Sequence, residues 1–293
     1  MYDHILVPTD GSDHAGRAVD HATVLAEAFD ATVHLLTVVD IEAAAGPFSA
    51  GGVDEEYIEQ RSADQREALA ALQADLDDDI AVETAVVTGH PADGILDYVA
   101  DNEVDLLVMG THGRSGLRRY LTGSVAERVL RLSPVPVLTT RAAEEAPVGS
   151  GYDDILVPTD GSERADAAVA HALAVAGAFG STIHAVSVVN VGDIATGGEL
   201  SVPSELLDEL EAAATEAVEA VASEARSAGV DAVTAVSTGQ PKHDLLEYVD
   251  ANGIDLVCMG THGRTGLDRV LLGSTAEALV RRSAVPVLTT SGE

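Results

Sequence analysis

Short runs of consecutive apolar residues alternate along this chain with longer segments in which apolar residues recur at helical spacing. Ile5-Leu6-Val7 is the first run, and its lack of polar interruption marks a short strand buried on both faces. Asp10-Gly11-Ser12 supplies a turn, and the spacing that follows predicts a helix over residues 15–29. A strand over 33–39 comes next, then a variable stretch over 41–53 rich in Ala, Gly, Pro and Ser. Beyond it lie a long polar helix over 54–77, a strand over 82–87 and a helix over 91–102 that Pro91 opens. A strand over 105–109 runs into a glycine-rich loop, a helix starts at Ser124, and a strand over 135–139 closes the pattern. Five apolar strands joined by helices predict an α/β fold: a parallel sheet covered on both faces, flavodoxin-like or a related doubly wound type. Such sheets bind ligands at the carboxyl ends of their strands, near the switch point. The first strand runs to Asp10 and the fourth to Gly110, so those two ends are expected to flank a site.

The whole pattern then happens again. Tyr2-Asp3 and Ile5-Leu-Val-Pro-Thr-Asp10-Gly-Ser12 return as Tyr152-Asp153 and Ile155-Leu-Val-Pro-Thr-Asp160-Gly-Ser162, and Val135-Pro-Val-Leu-Thr-Thr140 returns as Val285-Pro-Val-Leu-Thr-Thr290. The offset is 150 at each landmark, with about 60 identities over roughly 140 aligned positions. Solenoid repeats run about 20–50 residues, so a period this long means duplicated domains. The expected boundaries are a domain over 1–141, a small-residue linker over 142–151 with Pro147, Gly149 and Gly151, and a second domain over 152–293.

Charge narrows the partners. Asp and Glu number 49 against 16 Lys and Arg, a formal net charge of −33, and Lys242 is the sole lysine. So negative a surface repels phosphate backbones and anionic lipids, which disfavours nucleic acid and membranes as partners. Near-total loss of lysine resembles the composition of proteins from salt-accumulating halophiles, where molar salt screens self-repulsion. No leader-like or membrane-spanning run is visible, and Cys258 is the only cysteine, so a cytoplasmic protein without disulfides is expected.

The glycine loop is where chemistry concentrates. Gly110-x2-Gly113-x9-Gly123-Ser124 follows one apolar strand and Gly260-x2-Gly263-x9-Gly273-Ser274 follows its copy. Glycines allow close backbone approach, and the helix that opens at each Gly-Ser has unpaired N–H groups suited to an anion. Ser124-x-x-Glu127 and Ser274-x-x-Glu277 also fit a capping box, which is the plainer reading of an isolated Gly-Ser. The complete spacing, present twice, favours a ligand.

With these motifs in hand, the chain resembles tandem universal stress proteins of the ATP-binding branch over essentially its whole length. The resemblance implies that the G-x2-G-x9-G-[S/T] loop holds phosphates and ribose, through Gly110, Gly113, Gly123, Ser124 and Val125 and through Gly260, Gly263, Gly273, Ser274 and Thr275. Asp10 and Asp160 match the family's aspartate near the ribose and the metal ion, with Mg2+ as the implied metal. Val38 and Val188 match the positions that meet the adenine edge, and Pro8, Thr9 and Met109, with Pro158, Thr159 and Met259, are implied to line the pockets. The implied ligand is ATP, with AMP or ADP left open. The two halves are implied to pair inside one chain through their last strands, where Pro136 and Pro286 suit an edge. A further homodimer and an unidentified protein partner stay open.

Other constellations are weaker. A Walker loop needs a lysine that is absent, no G-x-S-x-G elbow occurs, and Gly110-x2-Gly113-x2-Gly116 is not a Rossmann fingerprint. His21 and His34, repeated as His171 and His184, read as satisfied core or surface histidines, whereas His112 and His262 in the loops can reach a phosphate or merely pack there. Cys258 reads as an inert core thiol. Ten of the 16 basic residues are arginines in the two loop-to-last-strand stretches. Among them Arg114 and Arg264 are candidate phosphate contacts, while Arg128, Arg131, Arg281 and Arg282 complement helix dipoles. The reading is an ATP-binding regulatory or stress-response module. Its rivals are a metal-dependent ATPase or phosphoryl-transfer enzyme using Asp10, and a nucleotide-free interaction module.

Overall fold

The computed structural model describes residues 1–41, 55–76, 79–111, 123–141, 149, 151–190, 204–261 and 272–291. The chain forms two compact units, 1–142 and 143–293. The first contains β1 (His4–Pro8), α1 (Asp13–Phe29), β2 (Thr32–Val39), α2 (Glu55–Ala74), β3 (Val82–Thr88), α3 (Pro91–Asp101), β4 (Leu106–Gly110), α4 (Ser124–Leu132) and β5 (Val137–Thr140). The second contains β6 (Asp154–Pro158), α5 (Glu163–Phe179), β7 (Thr182–Asn190), α6 (Ser204–Ser227), β8 (Ala232–Gly239), α7 (Pro241–Asn252), β9 (Leu256–Gly260), α8 (Ser274–Arg282) and β10 (Val287–Thr290).

Within the first unit the strands are all parallel, as predicted, and lie in the order β3-β2-β1-β4-β5, which is the related doubly wound order and not flavodoxin's 2-1-3-4-5. The second repeats it as β8-β7-β6-β9-β10. Chain direction across the sheet reverses between β1 and β4, so the switch point lies where β1 and β4 end side by side. Right-handed crossovers then put α1 and α2 on one face and α3 and α4 on the other. The core is aliphatic: Ile5, Leu6, Val7, Leu35, Leu36, Leu107 and Val108 are wholly buried, and Ile155, Leu156, Val157 and Ile183 repeat them.

Side chains fix the register where the backbone alone would not. The Asp105 carboxylate accepts from the N–H groups of Asp3 and His4 at 2.7 and 2.9 Å, tying the starts of β1 and β4 together. Asp255 does the same for Asp153 and Asp154 at 2.9 and 3.0 Å. Element ends shift slightly from the sequence expectation. β1 stops at Pro8 because Thr9 to Ser12 form the turn, and Pro136 precedes β5, lending only its carbonyl to the Leu107 N–H at 3.0 Å. A proline can accept there and has nothing to donate.

Candidate functional site

At the carboxyl ends of β1 and β4 the first unit holds a cleft of about 310 Å³. Pro8, Thr9, Asp10, Val38, Met109, Gly110, Gly123, Ser124 and Val125, nine residues singled out in the sequence, all line it. Gly113 and Arg114, like Gly263, Arg264, His112 and His262, lie outside the described residues. Sequence reasoning missed Ala15, Leu36, Pro91, Ile95, Thr111 and Ala126, which are the other described residues of the lining. Pro91 and Ile95 are four apart on α3, a spacing that signals one helix face but does not say what that face meets.

The turn after β1 is held rigid by its own side chains. Thr9 Oγ1 accepts from the Gly11 N–H at 3.2 Å and Asp10 Oδ1 accepts from the Ser12 N–H at 3.0 Å. Gly11 sits at φ 72, the left-handed region that glycine tolerates. Thr159 and Asp160 repeat both bonds at 3.1 Å, and Gly161 repeats the φ. Thr9 is itself anchored, its N–H donating to Leu36 at 2.8 Å and its carbonyl accepting from the Thr37 hydroxyl at 3.1 Å.

Opposite this turn, α4 presents its N-terminus. Its capping residue is Gly123, with φ −60 and ψ 145 and no side-chain cap, so Ser124 takes the first helical position. The capping box weighed as the alternative to a ligand at Ser124 therefore does not form, and the same holds for Ser274 behind Gly273. The first intrahelical bond runs from the Glu127 N–H to the Gly123 carbonyl at 2.9 Å. The N–H groups of Ser124, Val125 and Ala126 precede it, without intrahelical partners, and all three residues line the cleft. This is the electropositive end of a helix, where an anion is favoured. Ser274, Thr275 and Ala276 stand in the same relation to the Glu277–Gly273 bond at 2.8 Å.

Gly110 has a packing reason as well as its place in the cleft. A Cβ there would lie 2.7 Å from His14 Cβ and 2.9 Å from its backbone carbonyl, so the first turn of α1 approaches this glycine closely. Pro158, Thr159, Asp160, Val188, Met259, Gly260, Gly273, Ser274 and Thr275 occupy the matching strand ends and helix start of the second unit.

The arginines in α4 and α8 pair mainly with carboxylates. Arg128 reaches Asp93 on α3 at 2.6 Å, strapping together the two helices that wall the cleft. Arg131 pairs with Glu127 and Arg281 with Glu277 on their own helices. The first two turns of α7 gather His243, Asp244 and Glu247 with ligand atoms within 4.8 Å of one another. That trio is at the positive end of its helix, an unfavourable place for a cation. Cys258 is fully buried and burial pushes its thiol up, which fits an inert core residue. Among the described residues no helix is long and apolar enough to cross a membrane.

Comparison with known proteins gives this geometry a lineage. The model of the universal stress protein family matches residues 1–141 and again 151–291. A universal stress protein of Methanocaldococcus jannaschii is 37% identical over 142 residues, covering 48% of this chain and 83% of its own. One from Mycolicibacterium smegmatis is 28% identical over 289 residues, covering 97% of this chain and 95% of its own. The crystal structure of a universal stress protein from Archaeoglobus fulgidus superposes with a TM-score of 0.71 at 24% identity, covering 99% of this chain and 96% of that one. With the family match falling on both halves, the chain belongs to the universal stress protein family as a tandem of two such domains.

Proposed function

We propose that each domain binds one adenine nucleotide, ATP or its AMP and ADP relatives, and that the chain acts in the cytoplasm as a nucleotide-dependent regulatory module of the stress response. The observation that carries this reading is the line of unpartnered N–H groups at Ser124, Val125 and Ala126, facing a cleft walled otherwise by Val38, Met109, Leu36 and Ile95. An anion-seeking end beside an apolar slot suits a phosphate joined to a flat base.

Among the described lining residues Asp10 is the one carboxylate, and one of its oxygens is engaged by the Ser12 N–H. Mg2+ takes one or two protein carboxylates and completes its shell with water and phosphate oxygens, so this donor set fits it. Asp10 and Asp160 would hold the ion, which would neutralise phosphate charge. The turn bonds of Thr9 and Asp10 orient that carboxylate, and the helix end holds the phosphates.

Calorimetry of ATP with Mg2+ on the intact chain tests the reading. A stoichiometry near two is expected, with Gly113→Val and Gly263→Val each removing one site. Absence of adenylate binding, both by titration and in nucleotide extracted from protein purified without additions, would overturn it. The pairing of the two halves through their last strands is proposed on the sequence argument alone. Separately expressed halves should then associate in molar salt.

A further inference from the structure

The inward face of α3 meets more than the cleft. Tyr98, at the same helical spacing beyond Pro91 and Ile95, has its hydroxyl 3.1 Å from Nδ1 of His34 on β2. That imidazole is 4% exposed, and its Nε2 lies 3.0 Å from Nδ1 of His4 on β1. Glu83 on β3 faces the same ring, with Oε2 3.6 Å from Nδ1. The titratable groups around His34 are therefore His4, Glu83 and Tyr98, one from each element packed against that side of it. In the second domain His184 keeps its tyrosine, with Tyr248 Oη 3.0 Å from Nδ1. There Asp154 stands in the place of His4, its Oδ1 2.9 Å from Nε2, and Val233 replaces Glu83.

Two imidazoles meeting nitrogen to nitrogen hold one proton between them, because one ring donates and the other accepts. With both rings neutral, His34 can donate from Nε2 to His4 and accept from the Tyr98 hydroxyl at Nδ1. A proton added to His4 makes its Nδ1 a donor. His34 must then accept at Nε2 and carry its own proton on Nδ1, and the Tyr98 hydroxyl must turn from donor to acceptor. A second proton sets two N–H groups head to head and breaks the pair. A carboxylate has no such limit: Asp154 accepts from the Nε2–H of His184 whether that ring is neutral or cationic.

We propose that the His4–His34 pair is a pH-sensitive switch that acts on the first cleft through Tyr98 and α3, and that Asp154 removes the switch from the second domain. Acidification turns the Tyr98 hydroxyl from donor to acceptor and then breaks the His4–His34 pair, so the ring that anchors Tyr98 loses its tie to β1 and the helix that carries Pro91 and Ile95 loosens. Burial already holds the His34 imidazole below its ordinary value of 6.5, with Glu83 opposing and His4 adding to the effect, so the cationic form is resisted until the pair yields. The consequence for the cleft rests on the nucleotide reading above. The switch itself does not.

Hydrogen exchange on the full chain in molar KCl separates the two. Between about pH 7.5 and 5.5, after allowance for the chemical exchange rate, segment 91–101 should exchange about tenfold faster while segment 241–252 does not change. His4→Asp, which copies the second domain, should abolish the difference, and Tyr98→Phe should raise exchange of 91–101 already at the higher pH. Equal responses of the two segments, or a response that survives His4→Asp, would overturn the switch. Calorimetry with ATP and Mg2+ then reads the coupling, where one of two sites should weaken about tenfold over the same range. Loss of all ATP binding with the exchange difference intact would sink the nucleotide reading and leave the switch standing. A pH-independent pair of sites beside an intact exchange difference would sink its action on the cleft.

Discussion

The Gly123 N–H donates to the Thr111 carbonyl at 2.7 Å, and Gly273 does the same to Thr261 at 2.8 Å. Each bond ties the start of a helix to the end of the strand before it. Thr111 is fixed in turn by its own N–H, which donates to Thr140 at 2.9 Å, and by its hydroxyl at 3.3 Å. The helix end that faces the cleft is thus tied directly to the sheet.

Gly123 adopts φ −60 and ψ 145, a conformation open to any residue, so backbone strain does not account for the glycine. Serine is a better helix cap than glycine, and Gly123→Ser should therefore leave unfolding free energy unchanged or raised by about 0.5 kcal/mol. Its side chain would stand at the mouth of the cleft, and ATP affinity of the first site should fall by about tenfold or more, close to 1.4 kcal/mol. Urea titration and calorimetry on the same preparation check both halves of the expectation. A variant that binds ATP like the wild type would mean that Gly123 serves packing only.

Gly110→Ala should do the reverse, harming the fold first. The added methyl would meet His14 Cβ at 2.7 Å and its backbone at 2.9 Å, and the helix backbone cannot swing aside as a flexible side chain can. Overpacking of this kind costs about 1–3 kcal/mol. The midpoint of urea unfolding should drop accordingly, with the slope unchanged.

Much of this architecture was legible in the chain. Continuous apolar runs such as Ile5-Leu6-Val7 and Leu106-Leu107-Val108 mark buried parallel strands, and the turn after the first and the glycine loop after the fourth put Asp10 and Gly110 at one expected site, while the adjacency of β1 and β4 came with the structure. The walls contributed by α3 were not legible. Pro91 and Ile95 arrive by a long crossover, and no local pattern reports what a helix face will meet. A Ser-x-x-Glu capping box and a first-turn serine look alike in sequence, and only the backbone angles of Gly123 separate the two readings of Ser124. The His34–Tyr98 contact spans 64 residues and carries no motif at all.

Burial lowers the imidazoles of His34 and His171 below 6.5. The unfolded chain therefore binds protons that the folded chain refuses once pH drops past about 6.5, and by linkage stability is present above that value and lost below it. Acid also neutralises carboxylates and so relieves self-repulsion, but ordinary carboxylates titrate near 4, well below this window. At molar KCl the melting temperature should fall as pH goes from about 7.5 to 5.5, and His171→Gln should flatten part of that slope. A melting temperature that rises over the same interval would contradict the burial of these rings as neutral groups.

The last expectation follows from charge. A net charge of −33 over 293 residues is a large self-repulsion, and the described ion pairs offset little of it, because pairs such as Arg17–Asp20 and Arg226–Glu219 lie half exposed at 3.8 and 3.7 Å. Exposed pairs of that kind contribute about 0–1 kcal/mol each. Screening is the stronger lever: the Debye length shrinks from about 10 Å at 0.1 M salt to about 3 Å at 1 M. Folding should therefore strengthen with KCl, and the melting temperature should climb steadily from low to molar concentration. The comparison that decides it is KCl against sucrose at matched osmolality. Excluded osmolytes stabilise without screening, so a rise seen equally in both would assign the effect to surface exclusion. A rise specific to salt would assign it to the carboxylates, and a flat or falling curve in KCl would show that the acidic surface is not the factor limiting this fold.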